Sequence, residues 1–191
     1  MSTLTALLTA EDFAKHYADT PFCELVRGEV IELTAGGLRH SRISGRAYYL
    51  LETWAIQSGL GRAYTNETGL LTERGPDTVR GADAVYFSFR RLPPENEPEG
   101  FSSVPPELVV EVVGKGQGWN AMVAKAGEYL AMGVDRVWVL DADTTSLYVF
   151  GGDEKPVELS GEAEVRDEKL LPGFSCRVSD FFNVRRGPDS A

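Results

Sequence analysis

Asp83, Glu111 and Lys125 are the residues of this chain whose types and spacing could do chemistry together. Asp83 lies in Gly81-Ala82-Asp83-Ala84-Val85, and Glu111 lies in Pro106-Glu107-Leu108-Val109-Val110-Glu111-Val112-Val113-Gly114. Both runs otherwise read as buried β-strands. The second is apolar on both parities, as expected of a strand covered on both faces in the middle of an α/β sheet. A carboxylate there is costly unless it is paired, protonated or bound to a cation. Asp83 shares strand parity with Val85 and Phe87, and Glu111 shares parity with Val109 and Val113. If the two strands are neighbours, both acids can point the same way near one end of the sheet. Two close carboxylates repel strongly in a low dielectric, and a divalent cation removes that cost. Mg²⁺ takes a few carboxylate oxygens and completes its shell with waters and substrate phosphates, so the pattern points to a hard-cation site. Lys125 lies at the margin of a helical apolar stripe, one turn before Tyr129. Its stem can run along apolar surface and place the ammonium at the end of the sheet. Near metal and phosphate it could orient an attacking water or stabilise developing charge.

Each of these residues also has a reading without catalysis. Asp83 can be a strand-end acid. Glu111 can sit in a buried ion pair, with Lys125 as the partner, and Lys125 can be a solvated helix lysine. His40 opens a helix, where histidine more often caps or packs than catalyses.

The elements that must position these groups follow from periodicity and breakers. Thr9 followed by Asp12 resembles a capping box and predicts a short helix from Ala10 to about Ala18. Glu24-Leu25-Val26 and Val30-Ile31-Glu32-Leu33 flank Arg27-Gly28 and predict a hairpin. Ile43, Ala47, Leu50, Leu51 and Trp54 recur at helical spacing between His40 and Gln57. Three strand-like runs follow, at about Arg62 to Leu71, Arg80 to Phe87 and Glu107 to Val113. The Pro- and Glu-rich stretch Arg90 to Pro106 predicts an exposed, mobile loop. Trp119, Met122, Val123, Ala126 and Leu130 form the stripe of a second long helix to Met132. Arg136 to Leu140 reads as a central strand, which makes a parallel βαβ unit. Ser146 to Phe150 and Pro156 to Leu159 read as a further hairpin across Gly151-Gly152-Asp153. Trp54, Trp119 and Trp138 read as core aromatics.

Composition bounds the function. The 191 residues suit one α/β domain, placed at 1–184, with the polar tail 185–191 predicted to be disordered. Two cysteines are too few for a disulfide framework, and two histidines leave no room for a histidine-rich zinc site. No signal peptide or membrane span is legible, so a cytoplasmic location is expected. The net charge of −10 counts against a protein that coats nucleic acid. It leaves open an enzyme with a local basic cleft, or one that recruits divalent cations.

The order helix, strand, strand, strand, helix, strand around these acids resembles the PD-(D/E)XK nuclease superfamily. More narrowly, the chain is similar to the Uma-two family of bacterial restriction-endonuclease candidates. The matching features are Glu24-Leu25-Val26-Arg27-Gly28-Glu29-Val30, Leu38-Arg39-His40-Ser41-Arg42-Ile43, the Asp83 strand, Pro106 to Val112, Lys125 with Tyr129, Gly133 to Asp141, and Leu171-Pro172-Gly173-Phe174. The resemblance implies an α/β, restriction-endonuclease-like αβββαβ core with a mixed sheet, plus an N-terminal helix and hairpin and C-terminal β-hairpins. It also implies that Asp83, Glu111 and the backbone carbonyl of Val112 hold Mg²⁺ or Mn²⁺. Lys125 would replace the usual lysine of the E-x-K motif, since position 113 is Val113. Glu24 matches a family acid and could add a metal or water contact, and Glu67 is a further acid able to approach the site. The chain departs from the family at Ala82, where proline is usual, at Ala121, where aspartate is common, and at Gly114-Lys115-Gly116-Gln117, where a Ser-Pro-Ser-Asp-like run is usual. Lys115 could substitute for Lys125.

The expected function is therefore Mg²⁺-dependent hydrolysis of DNA phosphodiester bonds by a homodimer. The alternatives are a catalytically silent nuclease-like module that dimerises or binds a partner, and a metal-dependent hydrolase of a small phosphate ester.

Overall fold

The computed structural model describes residues 7–17, 20, 22–114, 118–151 and 155–183. The tail predicted to be disordered lies outside them, as do residues 115–117. The chain opens with helix α1 (Ala10–Tyr17), the hairpin strands β1 (Cys23–Val26) and β2 (Glu29–Glu32), and the long helix α2 (Leu38–Ser58). Strands β3 (Gly61–Glu73), β4 (Thr78–Ser88) and β5 (Leu108–Val112) follow, then helix α3 (Trp119–Met132) and strand β6 (Arg136–Asp141). Strands β7 (Ser146–Phe150), β8 (Val157–Ser160), β9 (Glu164–Val165) and β10 (Cys176–Arg177) and the short helix α4 (Ser179–Phe182) complete the fold. From α2 to β6 the order is the expected αβββαβ core.

The main sheet has eight strands in the order β2-β1-β4-β5-β6-β7-β8, with β3 paired to β4. It is mixed: β5 and β6 run parallel, and the other pairs are antiparallel. A parallel pair needs a crossover, and α3 supplies it. Alternation along the strands splits the core into two layers. On one face Ile43, Ala47, Leu51 and Trp54 of α2 pack against Ala84, Tyr86, Val110, Trp138 and Leu140. On the other, Met122, Ala126 and Tyr129 of α3 pack against Val85, Phe87, Val109, Val137 and Val139. A third cluster seats Ala10 and Phe13 of α1 on Leu25 and Val79.

Two expectations need correction. Trp119 and Val123 are not core residues: both stay exposed, and Trp119 lies against Tyr148 with ring centroids 4.4 Å apart. Tyr129 joins Met122 and Ala126 on the buried face, with Leu130 partly buried against the same cluster, and its hydroxyl reaches a buried acid on the sheet. The loop from 90 to 106 is exposed at 94–100, yet both ends are pinned. Ser102 pairs with β3 through Leu71 N–H to Ser102 O and Ser102 N–H to Gly69 O, and Arg91 bonds Asp135 at 2.6 Å. The capping interaction at α1 is present, with Thr9 Oγ1 accepting from the Asp12 N–H at 3.1 Å. Cys23 and Cys176 are both free thiols. Among the described residues no helix is long and apolar enough to cross a membrane.

Candidate functional site

The site forms where the hydrogen-bond ladder of β4 is interrupted. One edge of β4 is paired along its length with β3. The other edge meets β1 only at Leu25↔Val79 and β5 only from Ala84↔Val110 to Tyr86↔Leu108. Residues 80–83 therefore have no described strand on that side. Buried backbone groups still need partners, and side chains provide them. The Gly81 N–H donates to Glu24 Oε1 at 3.0 Å, and the Gly81 carbonyl accepts from Lys125 Nζ at 2.9 Å. At the far lip of the gap, Asp83 Oδ2 accepts the Val112 N–H at 2.8 Å.

Continuing the β4–β5 register one step past Ala84↔Val110 sets Asp83 opposite Glu111. The two acids thus stand side by side where the strands part. Both are buried, 6% and 4% exposed. They turn to different partners. Glu111 Oε1 accepts from the Tyr129 hydroxyl at 2.6 Å and from Lys125 Nζ at 3.0 Å, both on α3. Asp83 Oδ2 lies 3.4 Å from Nε2 of His40, in the first turn of α2. Among the described residues no three histidine, cysteine or carboxylate side chains converge on one point.

Lys125 has its three ammonium protons directed at Glu24 Oε1, Glu111 Oε1 and the Gly81 carbonyl, at 3.0, 3.0 and 2.9 Å. Burial alone would push its pKa down, but Glu111 and Glu24 outweigh burial and keep it a cation. Glu24 is buried too, and its second oxygen accepts from Arg80 Nη1 at 2.8 Å. Burial would raise its carboxyl; Lys125 and Arg80 hold it below the usual range. Arg80 in turn makes a bidentate pair with Glu128 at 2.6 and 2.7 Å. The carboxyl of Glu111 is pushed up, first by burial and then by the neighbouring Asp83 charge, with Lys125 opposing both. This is an acid whose charged form asks for a cation.

Glu67 reaches the rim of the site through a β-bulge. Asn66 and Glu67, with φ of 67° and 58°, stand where β4 has Asp83 alone. A bulge of this kind re-aims side chains and often borders a site. Glu67 is exposed and accepts no hydrogen bond among the described residues; desolvation and the Asp83 charge raise its carboxyl. Gly81 accommodates it, since a Cβ there would come within 2.5 Å of Glu67 Oε2. Of the site residues expected from sequence, Asp83, Glu111, Lys125 and Glu24 are brought together, Glu67 lies at the mouth, and Lys115 is outside the described residues. Glu24 faces Lys125 and Arg80. From the sequence His40 reads as a capping or packing residue at a helix start, and the Arg80–Glu128 pair was passed over. His40 had one signal, an imidazole in a polar helix entry, and nothing in the sequence tied it to Asp83.

The sequence matches the family model Uma2, described as "Putative restriction endonuclease", over residues 10–179. The chain belongs to the Uma2 family. None of the curated proteins matches it. Among solved structures it is similar to a crystal structure of "a putative nuclease belonging to DUF820" from Anabaena variabilis ATCC 29413, with 18% identity and a TM-score of 0.79. That likeness covers 92% of this chain and 97% of the other, and it establishes a shared fold. In this Uma2 chain the two strand acids and the helix lysine named from the sequence meet at one interruption of the sheet. Ala82, next to Asp83, is fully buried.

Proposed function

We propose that the gap beside β4 is the active site of a divalent-cation-dependent endonuclease that hydrolyses DNA phosphodiester bonds. The observation that carries this reading is the register that sets Asp83 against Glu111 where β4 and β5 part, with a buried lysine on the next helix. The donor set fits Mg²⁺ or Mn²⁺: two carboxylates and the Val112 carbonyl are hard oxygen ligands, and they leave positions for water and substrate phosphate. Asp83, Glu111 and Val112 would hold the ion, which when bound supplies charge stabilisation at the phosphate.

Lys125 fixes Glu111 Oε1 and balances its charge. Because all three protons are engaged and the group stays cationic, we assign it a positioning and electrostatic part, not that of a base. Glu24 anchors Lys125, and Arg80 and Glu128 anchor Glu24. Hydrolysis forms a bond from a water oxygen to phosphorus and breaks the phosphorus bond to a sugar oxygen. With a net charge of −10, the chain repels DNA at long range, so cation loading also aids substrate approach. A homodimer would give each strand its own site.

DNA cleavage with Mg²⁺ or Mn²⁺ tests the reading, with wild type beside Asp83→Asn and Glu111→Gln. Loss of cleavage in both variants is expected; cleavage that survives both removes the mechanism. The saturated ammonium of Lys125 favours a second reading, a catalytically silent module. Calorimetric Mn²⁺ binding that disappears in Asp83→Asn would count against that second reading.

A further inference from the structure

We propose that His40 is a direct protein ligand of the cation held by Asp83, and that its imidazole biases the site toward later first-row transition ions over Mg²⁺. The inference rests on the site proposed above and adds to it a nitrogen donor from α2. Nε2 of His40 lies 3.4 Å from Asp83 Oδ2. That is longer than the usual N–H···O hydrogen bond of about 2.7–3.2 Å. It is the spacing of two donors sharing one ion: with both bonds near 2.1 Å, angles of about 90–110° put the donors roughly 3.0–3.4 Å apart. Asp83 Oδ2 also accepts the Val112 N–H at 2.8 Å, so the imidazole and the end of β5 meet at the same carboxylate oxygen.

The ring is aimed by its surroundings. His40 stands in the first turn of α2. An added Cβ on Gly36 would approach Nδ1 to 2.8 Å, so only glycine there leaves the ring its place. Nε2 is the nitrogen presented to Asp83. An all-oxygen set suits Mg²⁺, whereas an imidazole adds affinity for ions such as Co²⁺ and Ni²⁺. This chain thus carries a device for cation choice at residue 40 that is separate from the pairing of Asp83 with Glu111.

Calorimetry with CoCl₂ and with MgCl₂ on the full chain, beside His40→Ala and His40→Gln, tests the idea. Thermal melts verify that each variant is folded, and the glutamine variant keeps a polar group against Asp83 if the alanine variant unfolds. Wild type should bind Co²⁺ more tightly than Mg²⁺, and both His40 variants should lose roughly tenfold or more in Co²⁺ affinity with little change for Mg²⁺. Pulsed electron paramagnetic resonance of the Mn²⁺-loaded protein should show coupling to an imidazole nitrogen. The chain has two histidines, so assignment is simple: the coupling should vanish in His40→Gln and persist in His16→Gln. Coupling that is missing in wild type, or that survives in His40→Gln, overturns the proposal. Asp83→Asn separates this proposal from its foundation. Undiminished Co²⁺ binding in Asp83→Asn removes the site itself, whereas binding lost in Asp83→Asn but unchanged in His40→Gln removes only the ligand role of His40.

Discussion

Replacing Glu24 by glutamine changes one atom, and the cost follows from what that atom faces. Oε1 accepts from the Gly81 N–H and from Lys125, and Oε2 accepts from Arg80. A glutamine must turn its NH₂ toward one of these sides. Facing Arg80, it sets donor against donor and loses the 2.8 Å bond. Facing Gly81 and Lys125, it loses two contacts and leaves a backbone N–H of the interrupted ladder unpaired. Either way Lys125 keeps Glu111 alone as its counter-charge, inside a site where Glu24 is 4% exposed. A hydrogen bond to a charged group contributes about 1.5–3 kcal/mol, and breaking one partner of a buried pair costs about 3–5 kcal/mol. About 3 kcal/mol is therefore expected, a large share of the roughly 5–15 kcal/mol that holds a domain together. For a chain of this size that corresponds to a fall in Tm of about 6–12 °C. Urea unfolding followed by tryptophan fluorescence measures it, since Trp54 and Trp138 are buried. A double-mutant cycle with Arg80→Gln should return a coupling of about 0.5–3 kcal/mol. A change for Glu24→Gln within about 0.5 kcal/mol, the range of ordinary surface substitutions, would refute the ladder-substitute argument.

Tyr129→Phe removes the 2.6 Å bond to Glu111 from a fully buried hydroxyl and should destabilise by about 1.5–3 kcal/mol in the same unfolding assay. Burial would raise the Asp77 carboxyl, but the N–H groups of Ala10 and Gly75 and the Arg74 guanidinium hold it below its ordinary value. Its contribution is thus present above the ordinary aspartate pKa and lost as pH falls through the lower folded value; Asp77→Asn should flatten the acid limb of a stability-against-pH curve. Burial pushes the Cys176 thiol up to about 12, so at pH 8 DTNB should leave Cys176 unmodified until denaturant is added.

Local signals survive folding, and partner choice does not show in them. The apolar runs at 108–112 and 136–141 and the helical spacing in α3 gave elements whose ends differ by little from those observed, because both sheet faces are covered and demand continuous apolar strands. Asp83, Glu111 and Lys125 were legible for the opposite reason: each is a charged group set in an apolar pattern. The rotation of α3 was not legible. Its stripe named Trp119 and Val123, which stay exposed, and missed Tyr129, whose buried hydroxyl answers Glu111 on another element. The bulge at Asn66-Glu67 was hidden too, since neither residue is glycine and the left-handed turn is imposed by the register against β4. Glu24 read as a possible metal or water contact from its match to a family acid; its ion pairs with Arg80 and Lys125 were hidden, because that long-range pairing leaves no periodic trace.

Gly81 offers a way to decide the part played by Glu67. Its backbone does not lie in the left-handed region, so alanine fits the strand, and in the unfolded chain the substitution is favourable by about 0.4–1 kcal/mol. The added Cβ would meet Glu67 Oε2 at 2.5 Å and its Cβ at 3.3 Å. The first contact is with the end of an exposed, flexible side chain that can swing out; the second needs a shift of a few tenths of an ångström. Gly81→Ala should therefore leave overall stability nearly unchanged while driving the Glu67 carboxylate away from the rim. Among the described residues Glu67 makes no hydrogen bond to Asp83 and adds only its charge, so moving that charge away in Gly81→Ala or removing it in Glu67→Gln should weaken cation affinity only slightly, and the two variants should agree within about threefold. Calorimetric titration with Mn²⁺ on both variants reads this directly. A loss of roughly tenfold or more in both would make Glu67 a ligand and place the bulge, rather than the α2 histidine alone, among the features that build the cation site.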